Sequence, residues 1–384
     1  MRKKYFKSLL VLLVLFILSS LVVLAEDNLL LQGINAYYNR LYREAVEKFQ
    51  ELLKEDENNI DALYFETLSY LELKDIVKAK NNISLLAEKG YSFGMIHWKL
   101  GELYLNKDQT YDSPFYNEAR KELEKARSLG IESAGLHSDL AMAYQGLGNL
   151  ELAAEEYEIA INKGHVVSDY INLATIYKEG GKLDAALDLY TKALEKNPDN
   201  ISIYINLGDI YLEKGEYSKA INALSKGLSL DNSMIAMRTN LALAYYRNQD
   251  YEQAIEEFRR VIRDNPNIYQ AYYYLGEIYN KIEQNHDLAI NYYEQAISYN
   301  RSYVRAYLSL GDLYLKNEET YKAMAQYLKA LEYNPEYPDA HFRLALAYIQ
   351  MGMREAAIEE LRKTLHLDSS NNEARLLLNR LQEE

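Results

Sequence analysis

Three asparagines, Asn172, Asn206 and Asn240, recur at an interval of 34 residues. A side-chain amide carries both hydrogen-bond donors and an acceptor, so it can pair with the N–H and C=O groups of a peptide backbone. A regular row of amides could therefore hold an extended peptide without reading its side chains. This is binding chemistry, which needs neither a nucleophile nor a metal ion.

No arrangement of residues typical of catalysis accompanies these amides. The six histidines are scattered and form no HExxH pair: His97, His137, His165, His286, His341 and His366. The sequence also has no GxSxG elbow, no phosphate-binding P-loop and no Rossmann glycine cluster. Because no nucleophile–base pair can be identified, we predict that the chain is not an enzyme and that it binds no metal and no cofactor.

The composition excludes several further classes of chemistry. The chain of 384 residues has no cysteine, which rules out disulfides, thiolate metal ligands, cysteine nucleophiles and a lipid-modified cysteine. With 43 basic and 57 acidic residues, its formal net charge is −14. An acidic surface repels phosphate backbones, so we expect no nucleic-acid partner. The other interpretation of the acidity is that it only keeps the protein soluble.

The first 25 residues have the composition of a secretory signal. Residues 1–7 contain four basic side chains, residues 9–18 are all apolar, and Ala25 provides a small residue before Glu26. We expect cleavage after Ala25. The alternative is an uncleaved anchor, since residues 8–25 are just long enough to span a bilayer. In both cases the basic end stays in the cytoplasm, and the rest of the chain lies outside the membrane.

The asparagines belong to a longer pattern that repeats about every 34 residues from Glu26 onward. One alanine recurs in every period: Ala45, Ala79, Ala119, Ala153, Ala186, Ala220, Ala254, Ala289, Ala323 and Ala357. A slot before it holds a small residue: Gly33, Thr67, Gly101, Ala141, Ala174, Gly208, Ala242, Gly276, Gly311 and Ala345. Three residues after this slot nine periods have a tyrosine: Tyr70, Tyr104, Tyr144, Tyr177, Tyr211, Tyr245, Tyr279, Tyr314 and Tyr348. The fixed spacing indicates packing rather than ligand binding.

This order of small residue, tyrosine, alanine, aromatic residue and closing proline resembles the tetratricopeptide repeat, or TPR. The resemblance covers ten units in register: 26–59, 60–93, 94–133, 134–166, 167–200, 201–234, 235–268, 269–303, 304–337 and 338–371. It implies an all-α fold, a right-handed superhelical solenoid of antiparallel helix pairs whose first helices line the concave side. We expect residues 26–371 to form these units and residues 372–384 to form a C-terminal capping helix, as open-ended arrays require.

The small residues have a physical explanation. A glycine inside a helix costs about 0.5–1 kcal/mol relative to alanine. Its presence at Gly208 and Gly276 therefore predicts a contact between helices that is too close for a side chain. We expect the repeated alanines to face the same contact from the second helix, where a larger residue would overpack the core.

The resemblance also implies which residues face the concave side. Position 6 of each first helix is one such position, and it holds Asn172, Asn206 and Asn240. This looks like the asparagine ladder of superhelical family members that hold unfolded polypeptide. Asparagine is common at this position in the family. The alternative is therefore that these three residues are inherited with the repeat and have no function in binding.

In the first three units the concave positions are mostly apolar: Leu30, Ile34, Tyr37, Tyr64, Phe65, Leu68, Leu71, Trp98 and Leu105. An apolar groove with aromatic residues is typical of a site for an amphipathic helix or an apolar segment. We predict that Tyr64, Leu68 and Trp98 contact such a partner. The chain's own N-terminus, or a second copy of the chain, could cover this groove instead.

Together these features predict a non-catalytic protein- or peptide-binding scaffold that acts outside the cytoplasmic membrane, in the periplasm or after secretion, in bacterial envelope assembly or secretion. The expected partners are proteins or extended peptides in the concave groove, with a possible membrane tether through residues 8–25. One alternative is a membrane-anchored organiser of envelope enzymes, which a mature N-terminus at Glu26 would exclude. Another is an accessory repeat subunit of a transferase.

Overall fold

The computed structural model describes residues 28–105, 115–164, 166–282 and 284–383. Within these residues it contains 21 α-helices and no β-strand, which confirms the predicted all-α fold. The chain divides into two compact units, residues 1–196 and 197–384.

The first unit contains five helix pairs, each made of a first and a second helix. The helices are α1 (Leu29–Tyr38), α2 (Tyr42–Glu55), α3 (Ile60–Glu72), α4 (Ile76–Glu88), α5 (Gly94–Tyr104), α6 (Tyr116–Ser128), α7 (Ala134–Gly146), α8 (Leu150–Gly164), α9 (Val167–Glu179) and α10 (Leu183–Lys196). Polar side chains begin several of them. Asn59 Oδ1, for example, accepts the N–H of Ala62 at 3.0 Å and so caps the otherwise unpaired start of α3.

The second unit contains five more pairs and a final single helix. The helices are α11 (Ile201–Glu213), α12 (Tyr217–Leu230), α13 (Ile235–Arg247), α14 (Tyr251–Asp264), α15 (Tyr269–Lys281), α16 (His286–Tyr299), α17 (Val304–Lys316), α18 (Thr320–Tyr333), α19 (Pro338–Gln350), α20 (Arg354–Leu367) and α21 (Asn372–Glu383). The final helix α21 packs on α20, and its Ala374 is buried beside Ala345 and Leu361.

The two helices of each pair contact each other extensively, and a turn of only three residues joins them in eight pairs, so each pair is an antiparallel hairpin. In the second unit every second helix also packs on the next first helix. First helices contact each other as well, α1 with α3, α3 with α5 and α5 with α7 in the first unit, and α11 through α19 in succession in the second. Within each unit we call the surface formed by these helices the first-helix face.

The three-residue turns inside eight of the pairs share one backbone geometry. The middle residue has a positive φ, as at Lys74 (61°), Gly215 (73°) and Gln249 (68°). The following residue donates its N–H to a carbonyl five positions earlier, as Asp250 does to Tyr245 at 2.9 Å. These features define a Schellman-type termination, in which a left-handed residue stops the first helix and satisfies a terminal carbonyl.

The slots of the repeat form the core. All ten repeated alanines are fully buried. The predicted close contact at the slot glycines is present, and its partner is the large side chain four residues after the alanine. A Cβ on Gly33 would lie 2.4 Å from Phe49 Cε1, and one on Gly276 would lie 2.7 Å from Tyr293 Cδ1. A Cβ on Gly208 would lie 2.5 Å from Leu224 Cγ. Glycine therefore occurs where a large apolar or aromatic side chain lies directly on the backbone of the first helix.

In the described part of the chain, no helix combines the length and the apolar composition needed to cross a bilayer. The predicted signal or anchor, residues 1–25, lies outside the described residues, so both interpretations of that segment stay predictions.

Candidate partner-binding surface

The three predicted ladder asparagines lie on first helices and are partly buried. Asn172 Nδ2 donates a hydrogen bond to Tyr157 Oη at 3.0 Å, and Asn206 Nδ2 donates to the Ser202 carbonyl at 2.9 Å. Each amide thus uses one of its N–H groups inside the protein. Asn172 belongs to the first unit, whereas Asn206 and Asn240 both belong to the second. The arrangement of the predicted row can therefore be examined for Asn206 and Asn240.

Asn240 makes a contact that links two helix pairs. Its Nδ2 donates to Asp209 Oδ1 at 2.6 Å, from α13 to α11. Asp209 lies three residues after Asn206 on the same helix, so the two asparagines are near neighbours on the first-helix face of the second unit. The Oδ1 atom and the second N–H of Asn240 keep their hydrogen-bonding capacity for a peptide backbone.

Carboxylates one residue after the slot glycines form a ladder that sequence reasoning missed. Each accepts a hydrogen bond from the next first helix: Asp209 from Asn240 (2.6 Å), Glu277 from Ser309 Oγ (2.9 Å) and Asp312 from Arg343 Nε (2.9 Å). We call this set the acidic ladder. The sequence signal for it is an acidic residue directly after glycine, as in Gly208-Asp209, Gly276-Glu277 and Gly311-Asp312.

Buried tyrosines support the acidic ladder from the second helices. Tyr293 Oη donates to Glu277 Oε1 at 2.7 Å, and Tyr327 Oη donates to Asp312 Oδ1 at 2.8 Å. Burial, reinforced by the neighbouring carboxylate, raises the pKa of both phenols above the ordinary value. Both therefore stay protonated at neutral pH and act as hydrogen-bond donors.

A continuous row of aromatic rings covers part of the same face in the second unit. Neighbouring ring centroids are separated by 5.1 Å for Tyr246 and Tyr274, 5.3 Å for Tyr274 and Tyr273, 5.2 Å for Tyr273 and Tyr303, and 4.8 Å for Tyr303 and Tyr269. All five side chains are partly exposed. We call them the tyrosine strip. None occupies the tyrosine slot of the repeat, and all but Tyr269 also pack against the core of the second unit.

Aromatic residues also cluster at the predicted apolar groove of the first unit. The Tyr64 ring lies 4.7 Å from that of Phe93 and 5.1 Å from that of Phe65, and the Phe65 ring lies 5.7 Å from that of Tyr37. Tyr64 is partly buried, and this burial raises the pKa of its phenol. The structure places Tyr64 within an aromatic cluster that reaches the surface.

The other two predicted groove residues have different environments. Leu68 is only 4% exposed and belongs to the core of the first unit, so its side chain is not part of an open wall. Trp98 is partly exposed, and its indole Nε1 donates to Asp139 Oδ2 at 2.7 Å. The ring lies against Gly135, where a Cβ would be 2.9 Å from Trp98 Cζ2. Binding of a partner by these residues stays a prediction.

Titratable groups recur at one further position, between the two helices of a pair. The fourth residue of the first helix contacts a glutamate of the second helix in four pairs: His97–Glu122 (2.6 Å), His137–Glu156 (2.6 Å), Arg238–Glu257 (2.9 Å) and His341–Glu360 (2.5 Å). Most of these groups are buried, so the pairs join the helices of a hairpin. No group of side chains suited to hold a metal ion occurs among the described residues.

Helix pairs that stack through repeated small residues, with a polar and aromatic face on their first helices, define the class of helical repeat proteins. Comparisons with known proteins specify the class further. Models described as "TPR repeat" match residues 174–215, 208–249 and 319–352, and models described as "Tetratricopeptide repeat" match residues 134–158, 239–283, 269–303 and 338–371. Together these matches cover more than half of the chain. The chain belongs to the tetratricopeptide repeat family.

Solved structures of similar proteins agree with this assignment. The C-terminal part of a TPR repeat-containing protein from Cytophaga hutchinsonii is 22% identical, with a TM-score of 0.53 over 64% of this chain and 99% of that one. A tetratricopeptide repeat protein from Parabacteroides merdae is also 22% identical, with a TM-score of 0.53 over 65% and 98%. Both show the fold. MamA is 30% identical over 43% of this chain and 95% of its own, with a TM-score of 0.40. No curated protein matched the chain.

Proposed function

We propose that the chain is a binding scaffold that holds extended peptide segments of other proteins on the first-helix face of its second unit. The TPR fold supports a general role in protein interaction. The observation that carries the specific proposal is the tyrosine strip. Five adjacent and partly exposed tyrosines offer a large contact area that is apolar on the ring faces and polar at the hydroxyl groups, which is typical of protein interfaces.

The polar groups beside the strip favour an extended backbone over a packed helix. Asn240 keeps an amide carbonyl and an N–H for main-chain hydrogen bonds, and it is held in place by Asp209. The aromatic rings, in contrast, can accept side chains of many kinds. A site of this composition binds a peptide through its backbone and gains affinity from apolar side chains without strict sequence selection.

The same proposal places the scaffold outside the cytoplasmic membrane, in bacterial envelope assembly or secretion. It rests on the basic, apolar and small residues of segment 1–25. Fractionation of cells that express the chain, with mass spectrometry of its N-terminus, tests this location. A mature protein that begins at Glu26 supports a cleaved signal, an intact apolar segment supports the membrane-anchored organiser, and a cytoplasmic chain with Met1 contradicts both.

Site-specific crosslinking tests the binding surface. A photoreactive aromatic residue is placed at position 274, within the tyrosine strip, and at position 321, where Tyr321 on α18 is 73% exposed. We expect partner proteins to be captured from position 274 in cells and not from position 321. Equal capture from both positions, or from neither, would contradict the proposal that the first-helix face is the binding surface.

A further inference from the structure

A second candidate site lies in the first unit. A pocket of about 340 Å³ is bounded by α4, the loop that follows it, α5 and α6. Its walls include the apolar side chains of Ile83, Leu86 and Ile96, and its polar lining includes Ser92 and His97. A largely apolar pocket of this size with a few convergent polar groups is the usual form of a small-molecule site.

The polar groups are arranged in a chain. Ser92 Oγ lies 3.2 Å from His97 Nε2, and His97 Nδ1 lies 2.6 Å from Glu122 Oε2. A carboxylate oxygen accepts hydrogen bonds, so the short contact places a proton on His97 Nδ1. In the neutral imidazole, Nε2 then carries the lone pair that can accept the hydroxyl proton of Ser92. A serine, a histidine and a carboxylate in this order and at these distances are the parts of an activated serine nucleophile.

Two other helix pairs have a histidine at the same position as His97, and comparison with them shows which feature is specific to His97. His137 and His341 each contact a glutamate through Nδ1, at 2.6 and 2.5 Å. However, His137 Nε2 is buried without a hydrogen-bond partner, and His341 Nε2 contacts the carbonyl of Pro335 at 2.9 Å. Among these three histidines, only His97 has a hydroxyl at its second nitrogen. The histidine–glutamate contact is therefore a packing element of the repeat, and Ser92 adds a nucleophile to it.

We propose that Ser92 is a reactive nucleophile, activated by His97 and oriented through Glu122, that accepts acyl groups from small esters. The apolar pocket takes the acyl chain of the ester. Lys125 also lines the pocket, and it has no ion-pair partner in the described residues. Its ammonium group supplies positive charge to the oxyanion that forms when the carbonyl is attacked.

The reaction is acyl transfer in two steps. The Ser92 oxygen forms a bond to the ester carbonyl carbon while His97 Nε2 takes the hydroxyl proton. The carbon–oxygen bond to the leaving alcohol then breaks, and His97 returns the proton to that alcohol. In the second step His97 Nε2 takes a proton from a water molecule while the water oxygen forms a bond to the acyl carbon. The bond between this carbon and the Ser92 oxygen then breaks, and His97 returns the proton to that oxygen. A carboxylic acid is released and the serine hydroxyl is restored.

The experiment uses the full chain, a fluorophosphonate probe and p-nitrophenyl butyrate. We expect the probe to modify Ser92, as identified by peptide mass spectrometry, and the ester to release p-nitrophenol. The exposed Ser92 side chain tolerates Ser92→Ala without loss of fold, and this variant should lose both reactions. Loss of the general base in His97→Ala should slow labelling by about 100-fold or more.

His137→Ala is the matched control, because it removes a histidine–glutamate contact at the same repeat position while leaving Ser92 intact. We expect it to label at the rate of the unchanged chain. Wild-type labelling no faster than that of Ser92→Ala, or full labelling of folded His97→Ala, would overturn the proposal. If His97→Ala loses its helical circular dichroism, Ser92→Ala and Glu122→Gln decide the question.

This inference does not depend on the proposed scaffold function, and each can fail without the other. A positive result would correct the sequence-based prediction that the chain is not an enzyme. Sequence inspection could not find the site, because Ser92, His97 and Glu122 come from a loop and two helices and match no linear motif.

Discussion

Gly311 on α17 and Tyr327 on α18 leave no space between them for another carbon atom. A Cβ on Gly311 would lie 2.5 Å from Tyr327 Cε1, and the tyrosine is fully buried. The same ring donates a hydrogen bond to Asp312 through its hydroxyl group, at 2.8 Å. One residue pair thus connects the core of a hairpin to the acidic ladder on its surface.

The first prediction concerns this contact. Gly311→Ala should lower the free energy of unfolding by about 1–3 kcal/mol, because the methyl group overpacks the core. The steric cost should exceed the roughly 1 kcal/mol of helix propensity by which alanine is more favourable than glycine. Chemical denaturation measures the change. Gly180→Ala is the control, since a Cβ on Gly180 would meet only carbonyl oxygens at 3.4 and 3.7 Å. Equal stability of the two variants would contradict the steric explanation.

The second prediction concerns the turns. Gln249 has a φ of 68°, in the left-handed region, where a side chain costs about 1–2 kcal/mol relative to the right-handed region. Glycine adopts this conformation freely, so Gln249→Gly should stabilise the protein by up to about 1 kcal/mol. Gly215→Ala, at φ 73° in the preceding pair, should destabilise it by a similar amount. Thermal unfolding that shows the same sign for both changes would contradict the role of the turn.

The third prediction concerns a buried ion pair. Arg238 is 4% exposed and donates to Glu257 at 2.9 Å. Glu257→Leu should cost about 3 kcal/mol, because it removes the carboxylate that accepts a hydrogen bond from the buried guanidinium. Only the longer contact of Arg238 Nε with Asp264, at 3.9 Å, then remains as an ion pair. The double variant Arg238→Met with Glu257→Leu should lose less than the single variant does. Urea denaturation of both proteins measures this difference, and a larger loss in the double variant would argue against the explanation.

A control for this prediction is the surface pair of Lys192 and Asp188, which lie 2.7 Å apart with both side chains about half exposed. Asp188→Asn should change the free energy of unfolding little, because exposed pairs contribute weakly.

The fourth prediction concerns alkaline pH. Burial, together with Glu66, raises the pKa of Tyr70 from 10.0 to about 12, and burial, together with Glu277, raises that of Tyr273 to about 12. A phenol whose pKa is raised by folding stabilises the protein fully below pH 10 and loses this contribution between pH 10 and 12. We expect part of the tyrosinate absorbance to appear only in that range, together with a loss of helical circular dichroism. Complete titration near pH 10 in a folded protein would contradict this.

The fifth prediction concerns the amides. Alanine at Asn206 and Asn240 should weaken the capture of extended peptides while leaving the helical circular dichroism unchanged. Alanine at Asn172, in the first unit, extends the test to the whole predicted row. Pull-down of partner proteins by each variant measures the effect. Profiles identical to that of the unchanged chain would remove the asparagines from the binding surface.

The repeat could be predicted from the sequence because its determinants are fixed. The alanine at the position of Ala323 recurs in every period, and the slot of Gly311 always holds a small residue. The packing role of both positions is therefore visible without a structure. The acidic ladder could not be predicted in the same way. Its acceptor is always a carboxylate, but the residue that donates the hydrogen bond is an asparagine, a serine or an arginine, so the pair does not recur as one pattern in the sequence. For Leu68, the position in the repeat was not sufficient to predict exposure. Its position favoured an exposed wall, but the surrounding helices bury it.

The turns within the helix pairs also bear on how the chain acquires its structure. Each of the eight three-residue turns is closed by hydrogen bonds between residues only a few positions apart, such as Asp250 with Tyr245. A hairpin of this kind brings together no distant parts of the polypeptide, so its formation loses little loop entropy and proceeds rapidly. Successive hairpins can therefore form in the order in which they leave the ribosome, without waiting for the C-terminus.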